Sequence, residues 1–198
     1  MGNNFDGLRT ESIPEQSTPQ DEKHGSRRFF IDVLETLLLA LLLFLGINTV
    51  SARIRVEGSS MEPTLHNGEF LIVNRLAYRF GSPKIGDVVV FHPPSDLEQE
   101  YIKRVIALPG DRVEISNGKV IVNGRALNEP YIAARPNYNY PLTLVPPGSL
   151  FVLGDNRNNS SDSHSWGPAP LNEVVGKAVF VYWPPSRWGS MELSLGNQ

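Results

Sequence analysis

The sequence contains no cysteine. This absence excludes disulfide bonds, thiolate catalysis and cysteine-ligated zinc together. An excess of positive charge is also missing, because the formal net charge is −3, so composition does not indicate a nucleic-acid partner. Internal repeats are absent, and a single hydrophobic run is long enough to cross a bilayer. We therefore expect no nucleic-acid partner, no metal and no other cofactor.

The one long hydrophobic run, residues 29–50, predicts a transmembrane anchor. A helix of this length spans about 33 Å, which matches the hydrocarbon core of a bilayer. Basic residues precede the run at Lys23, Arg27 and Arg28, whereas only two follow it closely. The positive-inside rule then predicts a single-pass protein with a cytoplasmic N-terminus and an exported C-terminal domain.

The segments beside the run leave one alternative open. Residues 1–28 are polar and have no apolar period, which predicts a disordered cytoplasmic tail. Val50-Ser51-Ala52 has the small-residue pattern of a signal-peptide cleavage site. The apolar run is longer than the core of a usual signal peptide, and the preceding tail is long as well. An uncleaved anchor is therefore favoured over a cleaved signal peptide.

From residue 51 onward the pattern is that of short strands separated by turns. Asn117-Gly118 and Asn123-Gly124 are strong signals for β-hairpins. The pattern predicts a mainly β, antiparallel domain over 51–186, with a small hairpin subdomain inserted at 112–147 and a C-terminal tail at 187–198. The predicted strands are 70–73, 87–91, 101–106, 112–115, 120–122, 150–153 and 177–183.

Gly58-Ser-Ser-Met-Glu-Pro-Thr-Leu65, the serine turn, follows the anchor closely. Pro63 fixes its own φ and disfavours helical geometry at Glu62, so a strand must break off here. A serine at such a break can present its hydroxyl to a cleft. Most serines near a proline are ordinary turn residues, however. A nucleophile is predicted only if the chain also supplies a base.

Lys103 is the strongest candidate for that base. Strand alternation places it on the same face as Tyr101 and Val105, and a lysine on an apolar face loses its proton more easily because it is desolvated. A solvent-facing lysine on an edge strand is the commoner case when the residue is considered alone. A Ser-His-Asp triad stays open as an alternative, but no pattern in the sequence points to one of the scattered histidines, His24, His66, His92 and His164.

A third polar stretch, Gly154-Asp-Asn-Arg-Asn-Asn-Ser-Ser-Asp-Ser-His164, follows a predicted strand, and we call it the Asn-rich loop. Its composition alone is typical of a solvated loop. In combination, the serine turn, Tyr101-Ile-Lys-Arg-Val-Ile-Ala-Leu-Pro-Gly-Asp111 and the Asn-rich loop, in this order after one anchor, resemble the type I signal peptidases. These are membrane-bound Ser/Lys endopeptidases that remove signal peptides from exported proteins.

The end of the chain narrows the resemblance to one branch of that family. Asp162-Ser-His-Ser-Trp-Gly-Pro168 together with Tyr182-Trp-Pro-Pro185 is similar to cyanobacterial and plastid thylakoid members. The resemblance implies a catalytic β domain of the type shared with LexA. It also implies a plasma-membrane or thylakoid-membrane location, with the catalytic domain on the periplasmic or lumenal side, and pre-proteins and the lipid bilayer as partners.

By position, the resemblance assigns roles to four side chains. Ser60 is the expected nucleophile and Lys103 the general base. Ser160 is expected to hydrogen-bond the Lys103 amine and orient it, and Asp162 to support the Asn-rich loop. A hydroxyl suits this orienting role, because a carboxylate in contact would raise the lysine pKa.

The oxyanion hole and one ion pair depart from the better-known relatives. The Ser60 backbone N–H is the expected oxyanion donor. Many relatives carry a second donor, a serine, two residues before the nucleophile, where this chain has Gly58; Ser59 or another backbone N–H can substitute. Many relatives also have arginine where this chain has His164, which makes the pairing with Asp162 dependent on pH.

Substrate selection is expected from shallow apolar pockets that favour small residues such as alanine before the scissile bond. By position, the pocket residues are Met61, Leu65, Tyr101 and Ile102. Ordinary core packing is the alternative, and for Leu65 and Ile102 it is equally favoured.

Two other functions remain open at this point. A LexA-like self-cleaving protease uses the same Ser/Lys chemistry, but it predicts a soluble chain with an N-terminal DNA-binding domain, which residues 1–50 do not suggest. A non-catalytic, membrane-anchored β domain that binds peptides would not require both Ser60 and Lys103.

Overall fold

A computed structural model of the chain describes residues 19–191, with side chains from Arg27 onward. Helix α1 spans Pro19–Val50, so it begins well before residue 29, the predicted start of the anchor. The extension follows from the sequence, because proline is tolerated in a first helical turn and most residues at 20–28 allow a helix. The rest of the predicted tail, residues 1–18, lies outside the described residues.

The apolar part of α1, Arg27–Val50, is long and apolar enough to cross a membrane. Its described side chains are all exposed. Signal sequences share this length and composition, so the uncleaved anchor stays a prediction.

Within the described residues, twelve strands, one short α-helix and two 3₁₀ helices, Leu171–Glu173 and Pro185–Arg187, follow α1. The strands are β1 Ser51–Arg55, β2 Phe70–Asn74, β3 Val88–Phe91, β4 Tyr101–Ala107, β5 Arg112–Ser116, β6 Lys119–Val122, β7 Arg125–Ala126, β8 Tyr140–Leu144, β9 Ser149–Leu153, β10 Ala169–Pro170, β11 Val174–Trp183 and β12 Gly189–Ser190. The short α-helix is α2 Ser163–Trp166. Every strand pairing is antiparallel. The predicted mainly β, antiparallel fold class is confirmed.

The larger sheet has the order β1-β2-β11-β3-β4-β9-β10, with β12 added to β11. Alternating apolar residues of β1, β2, β3 and β11 bury one face of this sheet, and Met61 and Leu65 of the serine turn pack into the same cluster. Strand β3 pairs with the first half of β4, from Tyr101 to Arg104, whereas β9 pairs with the second half, from Arg104 to Ala107. The first half of β4 therefore has an open side next to the serine turn.

The smaller sheet has the order β7-β6-β5-β8 and its own apolar cluster. Both Asn-Gly pairs have positive φ at both residues, 50° and 70° at the first and 52° and 79° at the second. This geometry is that of type I′ turns, as the hairpin signals predict. The sheet lies within the predicted insertion at 112–147, and the exact domain limits stay predictions.

The end of the described chain packs against the larger sheet. Gly189–Ser190 pairs with β11, and Arg187 donates to Glu69 at 2.7 Å. Residues 187–191 are therefore part of the β domain, whereas the prediction placed them in a separate tail. Backbone pairing and the ion pair explain the difference, since neither leaves a signal in the local sequence.

Candidate active site

The predicted nucleophile and base lie in direct contact. Lys103 Nζ is 2.8 Å from Ser60 Oγ, although the residues are far apart in sequence. The amine also donates to the Ile102 carbonyl at 3.1 Å, and the residue is only 4% exposed. Because Lys103 is on β4 and Ser60 on the serine turn, the packing of that turn over the open side of β4 creates the pair.

The surroundings of Lys103 favour a neutral amine. Burial lowers the pKa of Lys103 from 10.5 to about 8, although the negative charges of Asp162 and Asp155 partly oppose this effect. Neither of its two hydrogen-bond partners within the described residues is a carboxylate. A lysine with this pKa can accept a proton from a serine hydroxyl near neutral pH.

Two asparagines of the Asn-rich loop hold the serine turn. Asn156 donates its backbone N–H to the Ser60 carbonyl at 3.0 Å and its side-chain amide to the Ser59 carbonyl at 3.1 Å. Asn159 donates to Ser59 Oγ at 2.9 Å. Sequence reasoning missed both, because the many polar residues of the loop indicated only solvation. The Asp-Asn-Arg-Asn-Asn run was the available signal.

These contacts bear on the predicted oxyanion donors. In a trans peptide C=O and N–H point in opposite directions, so the bond from Asn156 to the Ser59 carbonyl turns the Ser60 N–H away from that side chain. The Ser59 hydroxyl accepts from Asn159, and Ser59 is not among the residues that line the adjacent cavity. The structure therefore gives no support to Ser59 as the second donor.

The backbone conformation at Gly58 bears on the side-chain donor that the resemblance leads one to look for at this position. Its φ is +81°, a conformation that side-chain-bearing residues rarely adopt, and its N–H donates to Asn67 Oδ1 at 3.0 Å. A serine at this position would strain the turn. The backbone conformation thus accounts for the missing hydroxyl.

Ser160 lies beside the pair but does not form the predicted hydrogen bond with Lys103. Its Oγ is buried and has no hydrogen-bond partner among the described residues. The hydroxyl is directed at Gly154, where a Cβ would overlap both Ser160 Oγ and the Ser60 carbonyl oxygen. This packing explains the absent bond, since it holds the hydroxyl against the Gly154 backbone while Lys103 donates to Ser60 and Ile102.

Asp162 supports the Asn-rich loop through several bonds. Its buried carboxylate accepts from the Gly154 N–H at 2.9 Å and caps α2 by accepting from the His164 N–H at 3.2 Å. The His164 ring nitrogen Nδ1 lies 2.6 Å from the same carboxylate, and the ring stacks on Tyr138 with centroids 4.0 Å apart. The catalytic roles of Ser160 and Asp162 stay predictions.

Arg104, the residue after the base, forms a buried ion pair that sequence reasoning did not anticipate. Its guanidinium donates twice to Asp155, at 2.8 and 2.6 Å, and once to the Gly86 carbonyl at 2.9 Å. Thr64 of the serine turn also donates to Asp155, at 2.5 Å. Asp155 thus joins β4, the serine turn and the Asn-rich loop.

A cavity of about 740 Å³ opens at the Ser60–Lys103 pair. Three of the four predicted pocket residues, Met61, Tyr101 and Ile102, line it. Leu65 does not: it is fully buried in the core of the larger sheet, so packing and not substrate contact explains this leucine. Ser161 and the exposed edge strand β1 also line the cavity, and sequence reasoning assigned them no role.

Comparisons with known proteins show the family of this chain. A family described as signal peptidase, peptidase S26, matches residues 30–183. The probable signal peptidase I-1 of Synechocystis sp. is 45% identical over 172 residues, which cover 83% of this chain and 88% of that protein. Signal peptidase I of Leptolyngbya laminosa is 39% identical over 199 residues, covering 96% and 97% respectively. The probable thylakoidal processing peptidase 2 of Arabidopsis thaliana is 40% identical over 139 residues, covering 67% and 38%.

The fold and the site define the class first: a mainly β serine peptidase that carries an N-terminal apolar helix. Within that class, the chain belongs to the signal peptidase family, peptidase S26. The predicted resemblance is confirmed, including its cyanobacterial and thylakoid relatives. Of the three functions left open by the sequence, this membership supports the signal-peptide-cleaving peptidase.

Proposed function

We propose that this chain is a serine endopeptidase that removes signal peptides from exported pre-proteins, with Ser60 as the nucleophile and neutral Lys103 as the general base. The observation that carries the proposal is the 2.8 Å contact between Lys103 Nζ and Ser60 Oγ, made by a buried lysine of lowered pKa. A buried lysine bonded to a hydroxyl instead of a carboxylate is suited to accepting a proton.

In the first step, Ser60 Oγ attacks the scissile carbonyl carbon and its proton moves to Lys103 Nζ. The Ser60 backbone N–H stabilises the negative oxygen of the tetrahedral intermediate. Lys103 then gives the proton to the leaving amine, which becomes the N-terminus of the mature protein. Neutral Lys103 next takes a proton from water, whose oxygen attacks the acyl-serine carbonyl. The bond to Ser60 Oγ then breaks, Lys103 returns the proton to that oxygen, and the signal peptide leaves with a new C-terminal carboxyl group.

Ser160 acts when Lys103 is charged. Its buried hydroxyl has no partner among the described residues, which is a costly state for a polar group and is found at functional sites. Rotation of this side chain away from the Gly154 backbone lets the hydroxyl accept from the Lys103 ammonium. The bond then stabilises the charge that develops on Lys103 and keeps the amine aimed at Ser60.

The substrate binds in the cavity beside the pair as an extended strand. Strand β1 is an edge of the larger sheet, and residues from β1 and from the first half of β4 line the same cavity. Backbone groups at such open edges can pair with an added strand. Met61 and Ile102 are nearly buried, at 2% and 8% exposure, so each presents only a small apolar surface to the cavity, which suits a small apolar side chain. We therefore expect the enzyme to cleave after small residues such as alanine.

The apolar helix anchors the enzyme in a bilayer, at the plasma membrane or the thylakoid membrane. The charge asymmetry around the helix favours an N-terminus in the cytoplasm and a β domain on the periplasmic or lumenal side. The helix satisfies its own backbone hydrogen bonds, and the exposure of its apolar side chains suits a lipid environment. Protease treatment of sealed vesicles whose interior corresponds to the cytoplasm tests this topology, and residues 1–28 should be protected. Digestion of these residues by protease added outside would contradict the topology.

Cleavage of a purified pre-protein in detergent tests the mechanism. We expect Ser60→Ala and Lys103→Ala to abolish cleavage, with the exposed matched variants Ser82→Ala and Lys84→Ala as active controls. The rate constant kcat/KM of the wild type is expected to rise with pH up to about 8, where Lys103 becomes neutral. Activity of either active-site variant, or an acidic limb near pH 10, would contradict the Ser/Lys mechanism.

A further inference from the structure

Two buried arginines flank the Ser60–Lys103 pair and need opposite charges. Arg104 follows Lys103 on β4 and is paired with Asp155. Arg157 lies in the Asn-rich loop and is 1% exposed. Its partner comes from outside the three motifs, because its Nη1 and Nη2 donate to the two carboxylate oxygens of Glu129 at 2.9 and 2.7 Å. The Glu129 side chain is 6% exposed, so solvent screens this pair little.

Tyr131 connects the two arginines. Its ring centroid lies 4.1 Å from Arg104 Cζ and 5.9 Å from Arg157 Cζ, distances at which a ring face attracts a cation. Its hydroxyl donates to Glu129 Oε1 at 3.1 Å. Burial raises the pKa of Tyr131, so the hydroxyl stays protonated and remains a donor. Glu129 and Tyr131 belong to the segment between β7 and β8.

Arg157 also transmits this arrangement to the reacting groups. Its Nε donates to the Gly154 carbonyl at 3.0 Å. Gly154 in turn packs so closely on Ser160 Oγ and the Ser60 carbonyl that no Cβ would fit there. A displacement of Arg157 therefore moves Gly154, and a displacement of Gly154 changes the positions of both serines.

We propose that Glu129 and Tyr131 are positioning residues of the active site, which hold Ser60 and Ser160 in place relative to Lys103 by acting through Arg157 and Arg104. The proposal rests on the proposed Ser/Lys function. It gives the segment between β7 and β8 a role in catalysis, although neither residue lines the cavity at the Ser60–Lys103 pair.

Loss of the Glu129 charge has a defined physical consequence. The Arg157 guanidinium would stay buried without a carboxylate in contact, and moving toward water relieves that state. The movement releases the Gly154 carbonyl and loosens the contacts among Gly154, Ser160 and Ser60. Water then reaches Lys103, and the pKa of this lysine returns toward its usual value, because burial is what lowers it.

The test compares Glu129→Gln with Glu114→Gln, a matched control on β5 of the smaller sheet. We expect Glu129→Gln to lower kcat by about tenfold to a hundredfold, as small misplacements of reacting groups do, with little change in KM. The acidic limb of its pH–rate profile should also move to higher pH. The control should keep both the kcat and the pH profile of the wild type.

A purely structural role would have a different signature. It would lower the folded fraction, and hence the rate by the same factor at every pH, without moving the acidic limb. Rates are therefore divided by the folded fraction, measured by tryptophan fluorescence. If Glu129→Gln has the kcat and the acidic limb of the wild type after its rates are divided by the folded fraction, the proposal is overturned.

Tyr131 supplies a second pair of variants, which serves even if Glu129→Gln folds poorly. Tyr131→Phe keeps the ring over Arg104 and removes only the hydroxyl, whereas Tyr131→Leu removes the ring. We expect a larger loss of kcat and a larger shift of the acidic limb for Tyr131→Leu than for Tyr131→Phe. Wild-type kcat in Tyr131→Leu would contradict the role of the ring.

Hydrogen–deuterium exchange separates this proposal from the function on which it rests. We expect faster exchange in residues 154–162 of Glu129→Gln, with exchange in β2 and β11 unchanged. If the wild type does not cleave pre-proteins but Glu129→Gln shows the faster exchange in residues 154–162, the Ser/Lys function is contradicted, whereas the contacts proposed to hold Ser60 and Ser160 are supported. If the wild type cleaves and the variant shows neither the local change nor a lower kcat, the positioning role alone fails.

Discussion

Lys103 and Arg104 are neighbours on β4, but the surroundings of Arg104 stabilise a positive charge whereas those of Lys103 disfavour one. Arg104 is 0% exposed and donates to both oxygens of Asp155, so its charge is fully balanced. Lys103 is 4% exposed, and its partners are a hydroxyl and a carbonyl. Burial therefore lowers the pKa of Lys103 to about 8, while Asp155 and Asp162 act on it only as more distant charges.

The difference shows how one strand can carry a charged arginine that stabilises the site, Arg104, next to a neutral lysine that serves as the base, Lys103. Alternation directs the two side chains to opposite sides of β4, so one carboxylate can neutralise Arg104 without contacting Lys103. A carboxylate in contact with Lys103 would raise its pKa and stop it from accepting a proton. Asp155 thus stabilises the site and at the same time leaves the base reactive.

The largest expected effect comes from giving position 103 a permanent charge. In Lys103→Arg, the guanidinium stays protonated at any working pH and cannot take the Ser60 proton. We expect kcat/KM for a pre-protein to fall by at least about a thousandfold. Lys84→Arg, at an exposed site, is the matched control and should cleave normally. Cleavage by Lys103→Arg at more than a tenth of the wild-type rate would show that position 103 does not need a neutral amine.

The second prediction removes the charge that balances Arg104. Asp155→Asn leaves a buried guanidinium with neutral partners, and we expect the free energy of unfolding to fall by about 3–5 kcal/mol. Chemical denaturation in detergent measures this change. Asp96→Asn, in the loop between β3 and β4, is the control and should change the free energy by less than about 0.5 kcal/mol. Equal effects of the two substitutions would mean that Arg104 does not depend on Asp155.

The third prediction concerns the cost of a buried amine. The pKa of Lys103 is about 8 in the folded protein and 10.5 in the unfolded chain, so burial penalises the charged lysine fully below pH 8. Lys103→Met removes this penalty, and we expect it to raise the free energy of unfolding by about 1–3 kcal/mol at pH 7 while abolishing cleavage.

The pH dependence of that gain provides its check. From pH 8 to 10.5 the unfolded wild type keeps its proton while the folded protein loses it, so wild-type stability rises with pH and the advantage of Lys103→Met shrinks. Denaturation curves at pH 7 and pH 10 measure the difference in the free energy of unfolding between Lys103→Met and the wild type at each pH. A difference that stays constant over this range, or a Lys103→Met variant less stable than the wild type at pH 7, would contradict a desolvated lysine.

The smallest effect is expected at His164. Asp162 also accepts the Gly154 and His164 backbone N–H groups, so it keeps its place in the loop whichever side chain stands at position 164. We expect His164→Arg to change kcat/KM by less than about threefold at pH 8, because the backbone bonds of Asp162, which hold the loop, are the same in both proteins. A loss greater than tenfold would show that the Tyr138–His164 stack is needed for the geometry of the loop.

The sequence predicted the anchor-like run, the antiparallel β class, the hairpins and the Ser60 and Lys103 candidates, because each rests on a local pattern or motif. It assigned Leu65 to the pocket, where the structure buries it in the core. It also predicted a Ser160–Lys103 bond that the structure does not form. In both cases the direction of a side chain decided the outcome, and sequence spacing does not specify that direction at a turn or in an irregular loop.

By itself, the sequence determined which chemical groups the chain has for hydrolysis: a serine in a proline-limited turn, a lysine on an apolar strand face and a hydroxyl-rich loop. Only the tertiary structure decided that these groups meet, that Asp155 balances Arg104 instead of Lys103, and that Glu129 and Tyr131 contact the arginines beside the site. The physical reason is that burial and charge balance depend on distances between residues far apart in the chain. Those distances are set by how the two sheets and their loops pack.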